Sequence, residues 1–241
     1  MRPPRATTIR LSPSLICLDL CNLEREVRKL ERAGIDLLHI DLLDGHFSPS
    51  LPIGIDTVRQ LREKTHLPFD IHLMVTDNEF FVRELLTLKP ERLCFHFEST
   101  RHVDRLLGMI QGAGVGAGIA LTPATPPAVL EYVIDRLDFV LLMLINPGFA
   151  GHQGETQVPY AVRKVAACRK FLDRHRRGVG ITADGRVSLA TIPKLVAAGA
   201  DVLVAGTSCL FSPAAPFLEN LRQTRNAIGA GLKRSKGAGT A

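Results

Sequence analysis

The chain has 241 residues, 46% of them hydrophobic, and a formal net charge of +6 from 30 Lys+Arg against 24 Asp+Glu. Much of the positive excess lies at the ends, in Arg2, Arg5, Lys233, Arg234 and Lys236, and the body has no basic stripe interleaved with aromatics, which argues against nucleic-acid binding. No apolar run reaches the roughly 18 residues of a membrane span, and five cysteines without a C-x-x-C pair (Cys17, Cys21, Cys94, Cys168, Cys209) argue for reduced thiols in a cytoplasmic protein, not for a disulfide framework or a zinc knuckle.

Short apolar runs alternate with helix-like segments along the chain. After a flexible leader (residues 1–8), the first run is Ile9–Leu18, followed by a helix from Asn22 to Arg32 that Gly34 stops. A second run, Asp36–Asp41, precedes a helix at Ile53–Lys64. A third, Pro68–Val75, precedes one at Asn78–Leu88, and a fourth, Arg92–Phe97, precedes one at Val103–Gln111. The fifth run, Val115–Leu121, leads to a helix from Thr125 to Ile134, with Pro126 and Pro127 tolerated in its first turn. The sixth, Asp138–Ile145, leads to a long helix at Gln157–His175, whose closing basic cluster (Arg169, Lys170, Arg174, Arg176, Arg177) is expected to face solvent. The seventh, Val179–Ala183, precedes a helix at Ser188–Ala198, and the eighth, Asp201–Ala205, precedes a helix from Pro213 to Ile228. The Gly-, Ala- and Lys-rich stretch 229–241 is expected to be a disordered tail. Eight βα units in one domain (residues 9–228) predict an α/β fold, a single (β/α)8 TIM barrel, with a doubly wound open sheet as runner-up.

The chemistry gathers at strand ends. His39 and Asp41 are two residues apart in an apolar run and so share one strand face, where an unpaired imidazole and carboxylate would be costly. His72 and Asp184 end the third and seventh runs. One such histidine reads as a satisfied core residue. Two His and two Asp on three strand ends read as ligands for one divalent metal ion, zinc, manganese, iron or cobalt. His46 and His96 lie near the same mouth but are not assigned as ligands. Ser14, Met74, Met143 and Gly206 also fall at strand ends. Asn146-Pro147-Gly148-Phe149-Ala150-Gly151, Asp184-Gly185-Arg186 and Ala205-Gly206-Thr207-Ser208 follow strands six, seven and eight, where glycine-freed backbone amides can cradle a phosphate.

Over about residues 9–225 the chain resembles the ribulose-phosphate 3-epimerase family. The matching stretches are Ser12-Pro13-Ser14-Leu15, His39 through Phe47, His72-Leu73-Met74-Val75, Asn146 through Gly151, and Ala198 through Thr207. The resemblance implies a ketose phosphate as the small-molecule partner. It implies His39, Asp41, His72 and Asp184 as metal ligands, with Asp41 and Asp184 doubling as the acid/base pair that inverts C3 through an enediolate. Substrate contacts would fall to Ser14, His72, Met74, Met143, Gly148, Gly151, Gly185, Arg186, Gly206 and Thr207, and the assembly would be a homo-oligomer. Leu43 stands where the family usually has Met, Ser50 where Asn is common, and Arg186 where a second Gly is usual. The loop after strand six is longer by one residue at Gln153. Loop similarities around Ser14–Leu20, Val75-Thr76, Pro147–Gly151 and Gly206–Phe211 favour the allulose-6-phosphate branch, with D-ribulose 5-phosphate as the alternative substrate and a non-catalytic sugar-phosphate binder as a further one. Decarboxylase or aldolase chemistry on the same fold usually relies on a Lys near the strand ends, and none is placed there.

Overall fold

The computed structural model describes residues 8–152, 154–176 and 178–237. Eight strands alternate with helices: β1 (Arg10–Pro13), α1 (Leu23–Arg32), β2 (Leu38–Leu43), α2 (Ile55–Arg62), β3 (Phe69–Met74), α3 (Asn78–Leu86), β4 (Arg92–His96), α4 (Val103–Gly112), β5 (Gly116–Leu121), β6 (Phe139–Met143), α5 (Ala161–His175), β7 (Gly180–Asp184), α6 (Ile192–Ala198), β8 (Val202–Ala205) and α7 (Phe217–Gly237). All strand pairs are parallel and the order around the sheet is β1-β8-β7-β6-β5-β4-β3-β2. The β1–β2 seam is joined by the Leu37 amide, which donates to the Leu11 carbonyl at 3.3 Å, and by a parallel bridge between Ser14 and His39. The fold is the (β/α)8 barrel expected from the sequence.

The period of two sorts each strand into an outer and an inner face. Outward residues such as Leu38, Ile40, Leu42, Ile71, Leu73, Leu93 and Phe95 join the helices in one continuous apolar core. The interior of the ring has two unlike halves. Across β1 to β4 it carries Ser12, Ser14, His39, Asp41, Asp70, His72, Arg92 and His96, all buried. Register puts His39 beside Asp70, Asp41 beside His72, and Asp70 beside Arg92. From β4 to the end of β6 the interior is an apolar cluster of Cys94, Ala120, Phe139, Leu141, Met143 and Ile145. The Phe139 ring needs the space that Gly118 leaves: a Cβ there would lie 2.4 Å from the ring. Gly118→Ala is therefore expected to cost about 1–3 kcal/mol by overpacking, read as a fall of roughly 2–4 °C in Tm per kcal/mol for a chain of this size. An unchanged Tm would mean that the ring moves aside freely.

The helices predicted from Ser188 and Pro213 begin four residues later, at Ile192 and Phe217, and further expectations differ from the structure. The helix predicted at Thr125–Ile134 is two 3-10 turns, Pro127–Leu130 and Ile134–Arg136, whose amides reach back three residues and not four, as Val129 does to Pro126 and Val133 to Leu130. The long helix predicted from Gln157 begins at Ala161, since Pro159 restricts the residue before it and the Val158 amide is spent on the Leu144 carbonyl. Arg169 does not face solvent with its neighbours: it is buried, with Nη2 donating to the Val179 carbonyl at 3.1 Å and Nη1 3.4 Å from Asp201. The last helix continues through 229–237, where a disordered tail was expected. Gly231 packs instead of breaking the helix, for a Cβ there would come within 2.6 Å of Val196 on α6. The leader residues 1–7, Gln153, Arg177 and residues 238–241 lie outside the described residues.

Candidate active site

His39, Asp41, His72 and Asp184 meet at one point. Asp41 and His39 come from β2, His72 from β3 and Asp184 from the end of β7, three places from β2 around the ring. His39 Nε2 and His72 Nδ1 each lie 3.1 Å from Asp41 Oδ1, and they lie 3.8 and 3.6 Å from Asp184 Oδ2. One ligand atom from each of the four residues lies within 4.8 Å of the others. Donors held at 2.0–2.2 Å around a tetrahedral cation are roughly 3.4 Å apart, so the four side chains fit a divalent ion.

The proton count also fits. A carboxylate only accepts hydrogen bonds, yet two imidazole nitrogens point at the same Asp41 oxygen. Without an ion, each would have to carry a proton there. A single divalent cation would replace both protons and keep the charge. The second oxygen of Asp41 accepts from the Ser14 hydroxyl at 2.8 Å, which fixes the carboxylate plane.

The surroundings set the acidities apart. Burial works against a charge on His39, but Asp41 and Asp70 beside it outweigh that and hold its pKa well above the usual imidazole value. Burial would also raise Asp41, yet the charge and hydrogen bonds of His39, with those of His72, keep it well below the ordinary carboxylate range. Asp184 is pushed up to about 7, by burial first and by the charge of Asp41 second. Two carboxyls whose acidities are driven apart can serve as base and acid in one step.

Each imidazole is braced from behind, as metal-binding histidines usually are. His39 Nδ1 lies 3.0 Å from Asp70 Oδ2, and that oxygen also receives the Ser12 hydroxyl at 2.8 Å and Arg92 Nη2 at 2.7 Å. His72 Nε2 lies 3.0 Å from His96 Nε2. Ser12, Asp70, Arg92, His96 and Glu98 carry no assignment from the sequence. The signal was available for Ser12 and Asp70, which stand two residues before Ser14 and His72 on the same strand faces.

A cavity of about 420 Å³ opens over this cluster. Of the residues expected to meet substrate, Ser14, Met74, Met143, Gly148, Gly151, Gly185, Arg186, Gly206 and Thr207 line it, along with Asp41 and Asp184. Leu43 and Ser50 line it too. His72 does not: it is fully buried, and its place is in the ligand cluster. No lysine is among the described residues of the lining. The loops after β6, β7 and β8 form one side. Gly148 (φ +83) and Gly185 (φ +109) need the left-handed backbone region, and a Cβ would strike Ser48 at 2.6 Å or Ile145 at 2.7 Å, so only glycine brings these turns in so closely. Arg186 (φ +46) follows, with Nη2 donating to the carbonyls of Ala150 and His152 at 2.9 and 3.0 Å. Its guanidinium thereby ties the loop after β7 to the loop after β6. On the opposite side, Asp44 accepts the amides of His46, Phe47 and Thr76 and the Thr76 hydroxyl, at 2.7–2.9 Å, joining the loops after β2 and β3. These bonds outweigh partial burial and bring its carboxyl down to about 2.

The profile described as "Ribulose-phosphate 3 epimerase family" matches residues 10–211. A ribulose-phosphate 3-epimerase of Treponema pallidum is 39% identical over 198 residues, covering 82% of this chain and 89% of the relative. The enzyme of that name from Bacillus subtilis is 36% identical over 200 residues, covering 83% and 91%. Among solved structures, Mycobacterium tuberculosis tryptophan synthase superposes with a TM-score of 0.65 at 15% identity, covering 94% of this chain and 93% of that one, a likeness of fold alone.

Proposed function

The chain belongs to the ribulose-phosphate 3-epimerase family, and on that footing we propose that it interconverts D-ribulose 5-phosphate and D-xylulose 5-phosphate. At the coarser level it is an isomerase, a metal-assisted ketose-phosphate 3-epimerase. The observation that carries the reading is the meeting of His39, Asp41, His72 and Asp184 at the floor of a cavity whose wall is made of glycine turns.

Inverting C3 of a ketose requires removing the proton next to the C2 carbonyl and returning one to the opposite face. Asp41, oriented by Ser14 from β2, and Asp184, at the end of β7, are suited to take a proton on one side of the sugar and give one on the other. The reverse direction exchanges their roles. His39, Asp41, His72 and Asp184 would hold the ion, which when bound supplies positive charge against the negative charge that develops on the substrate oxygens. The donor set suits zinc, manganese, iron or cobalt. Met74 and Met143 offer polarizable apolar walls for a planar enediolate, and the turns at Gly148, Gly185 and Gly206 supply backbone amides for the phosphate.

The pentulose phosphate is supported by the name the relatives share. The loop stretches that favour allulose 6-phosphate are short by comparison. The two substrates separate in one experiment. The metal-loaded protein is incubated in D2O with each ketose phosphate, and C3 is followed by NMR. Deuterium at C3 with formation of xylulose 5-phosphate is expected from ribulose 5-phosphate. Faster exchange and epimer formation from allulose 6-phosphate would reverse the substrate choice, and binding of either sugar without exchange would leave a sugar-phosphate binding protein.

A further inference from the structure

We propose that His96 and Glu98 are positioning residues for the metal ligand His72, fixing its ring proton on Nε2 and so leaving Nδ1 bare toward the ion. His72 Nε2 and His96 Nε2 are 3.0 Å apart, both rings are fully buried, and only one of the two nitrogens can donate. His96 Nδ1 faces Glu98 Oε2 at 3.3 Å. The other carboxylate oxygen, Oε1, accepts the Thr122 amide and hydroxyl at 2.9 Å each, and the Thr125 hydroxyl as well. With three donors on one oxygen, Glu98 is an acceptor throughout. His96 must therefore present Nδ1–H to it. Neutral His96 then has a bare Nε2 that accepts from His72 Nε2–H, and the lone pair of His72 is left on Nδ1, the atom that faces Asp41 and Asp184.

The direction of the chain is set at its outer end. Glu98 lies on the 3-10 turn Phe97–Ser99 that follows β4, and its threonine partners lie in the turn after β5. Lys164 on α5 holds that turn through the carbonyls of Thr122, Pro123 and Thr125. The Phe47 ring packs on His96 with centroids 4.7 Å apart. His39 is braced differently, directly by the Asp70 carboxylate. The two imidazoles therefore reach the ion with unequal support: a charged neighbour behind one, a neutral histidine behind the other.

The test compares Glu98→Gln with Glu98→Ala in the full chain, by competition titration of cobalt(II) against a chelator, with circular dichroism as the check on folding. In Glu98→Gln the amide oxygen keeps the threonine donors and its NH2 group faces His96 Nδ1. That reverses the chain and puts the proton of His72 on Nδ1, where the ion belongs. The expected loss of cobalt affinity is about 10- to 100-fold, and larger than in Glu98→Ala, which loses the same charge but frees His96 to choose its tautomer. In the metal-free wild type, where no ion dictates the ring proton, histidine 15N spectra should place protons on His96 Nδ1 and His72 Nε2, a readout that stands even if a variant fails to fold. Undiminished affinity in Glu98→Gln, equal losses in both variants, or the opposite tautomers would overturn the proposal. It rests on the metal-site reading, so a wild type that binds no cobalt would overturn both. Normal cobalt binding without epimerase activity would overturn only the assigned reaction.

Discussion

Asp184→Asn is expected to lower kcat by about 10²- to 10⁴-fold, the range that a positioned acid or base contributes. The substitution keeps the shape and one ligand oxygen but removes the group that can give or take a proton. The side chain sits at the end of β7, close to the imidazoles of β2 and β3. Two measurements separate its roles. Steady-state turnover with the better ketose phosphate should collapse, while cobalt titration shows how much ion binding survives. The variant should also stop incorporating solvent deuterium in at least one direction, since one face of the sugar then has no proton carrier. Near-normal turnover with the ion bound would sink the acid/base assignment.

The second large effect is on stability. Asp70→Ala is expected to cost about 3–5 kcal/mol, because it strands a buried Arg92 guanidinium and the far side of His39 at once. Against a total stability of roughly 5–15 kcal/mol, that is enough to unfold part of the population at ordinary temperature, and urea denaturation would measure it. The same carboxylate links stability to pH. Burial alone would raise its pKa, but Arg92 and His39 bring it well below the ordinary value. A depressed carboxyl contributes stability that is fully present above the unfolded value of about 3.9 and is lost as pH falls below it. Wild-type stability should therefore decline below about pH 4, and Asp70→Ala should flatten that decline. A variant as stable as wild type, with the same acid profile, would show that Arg92 and His39 do not depend on this partner.

The barrel was legible because strand and helix periods alternate through the whole chain, and parallel strands covered on both faces leave near-continuous apolar runs such as Leu38–Leu43. The four proposed ligands were legible for a related reason: His39, Asp41, His72 and Asp184 interrupt such runs with groups that cannot be buried unpartnered. What lay behind them was harder to read. Asp70 and Arg92 stand at the starts of their strands, where a charged residue is ordinarily a solvated strand end, and only the pairing of β3 with β4 places one against the other. His96 follows the same logic, since its contact with His72 depends on a register that no single strand encodes. Gly231 of α7 misled because a glycine that breaks a helix and one that packs closely are the same letter. The identity of the neighbouring helix decides between them.

The strand β7 has a part in both halves of the cavity: it ends in Asp184, and the next residue is the Gly185 turn. If that turn anchors the phosphate, the gap from anchor to carboxyl is nearly invariant, and the pocket works as a ruler. It measures how many carbons separate the phosphate from the carbon to be inverted. Changing the sugar would then be a matter of moving Gly148, which hangs from the loop after β6, and not of redesigning the cluster beneath. Inserting or deleting residues in the loop after β6 is the place to try it.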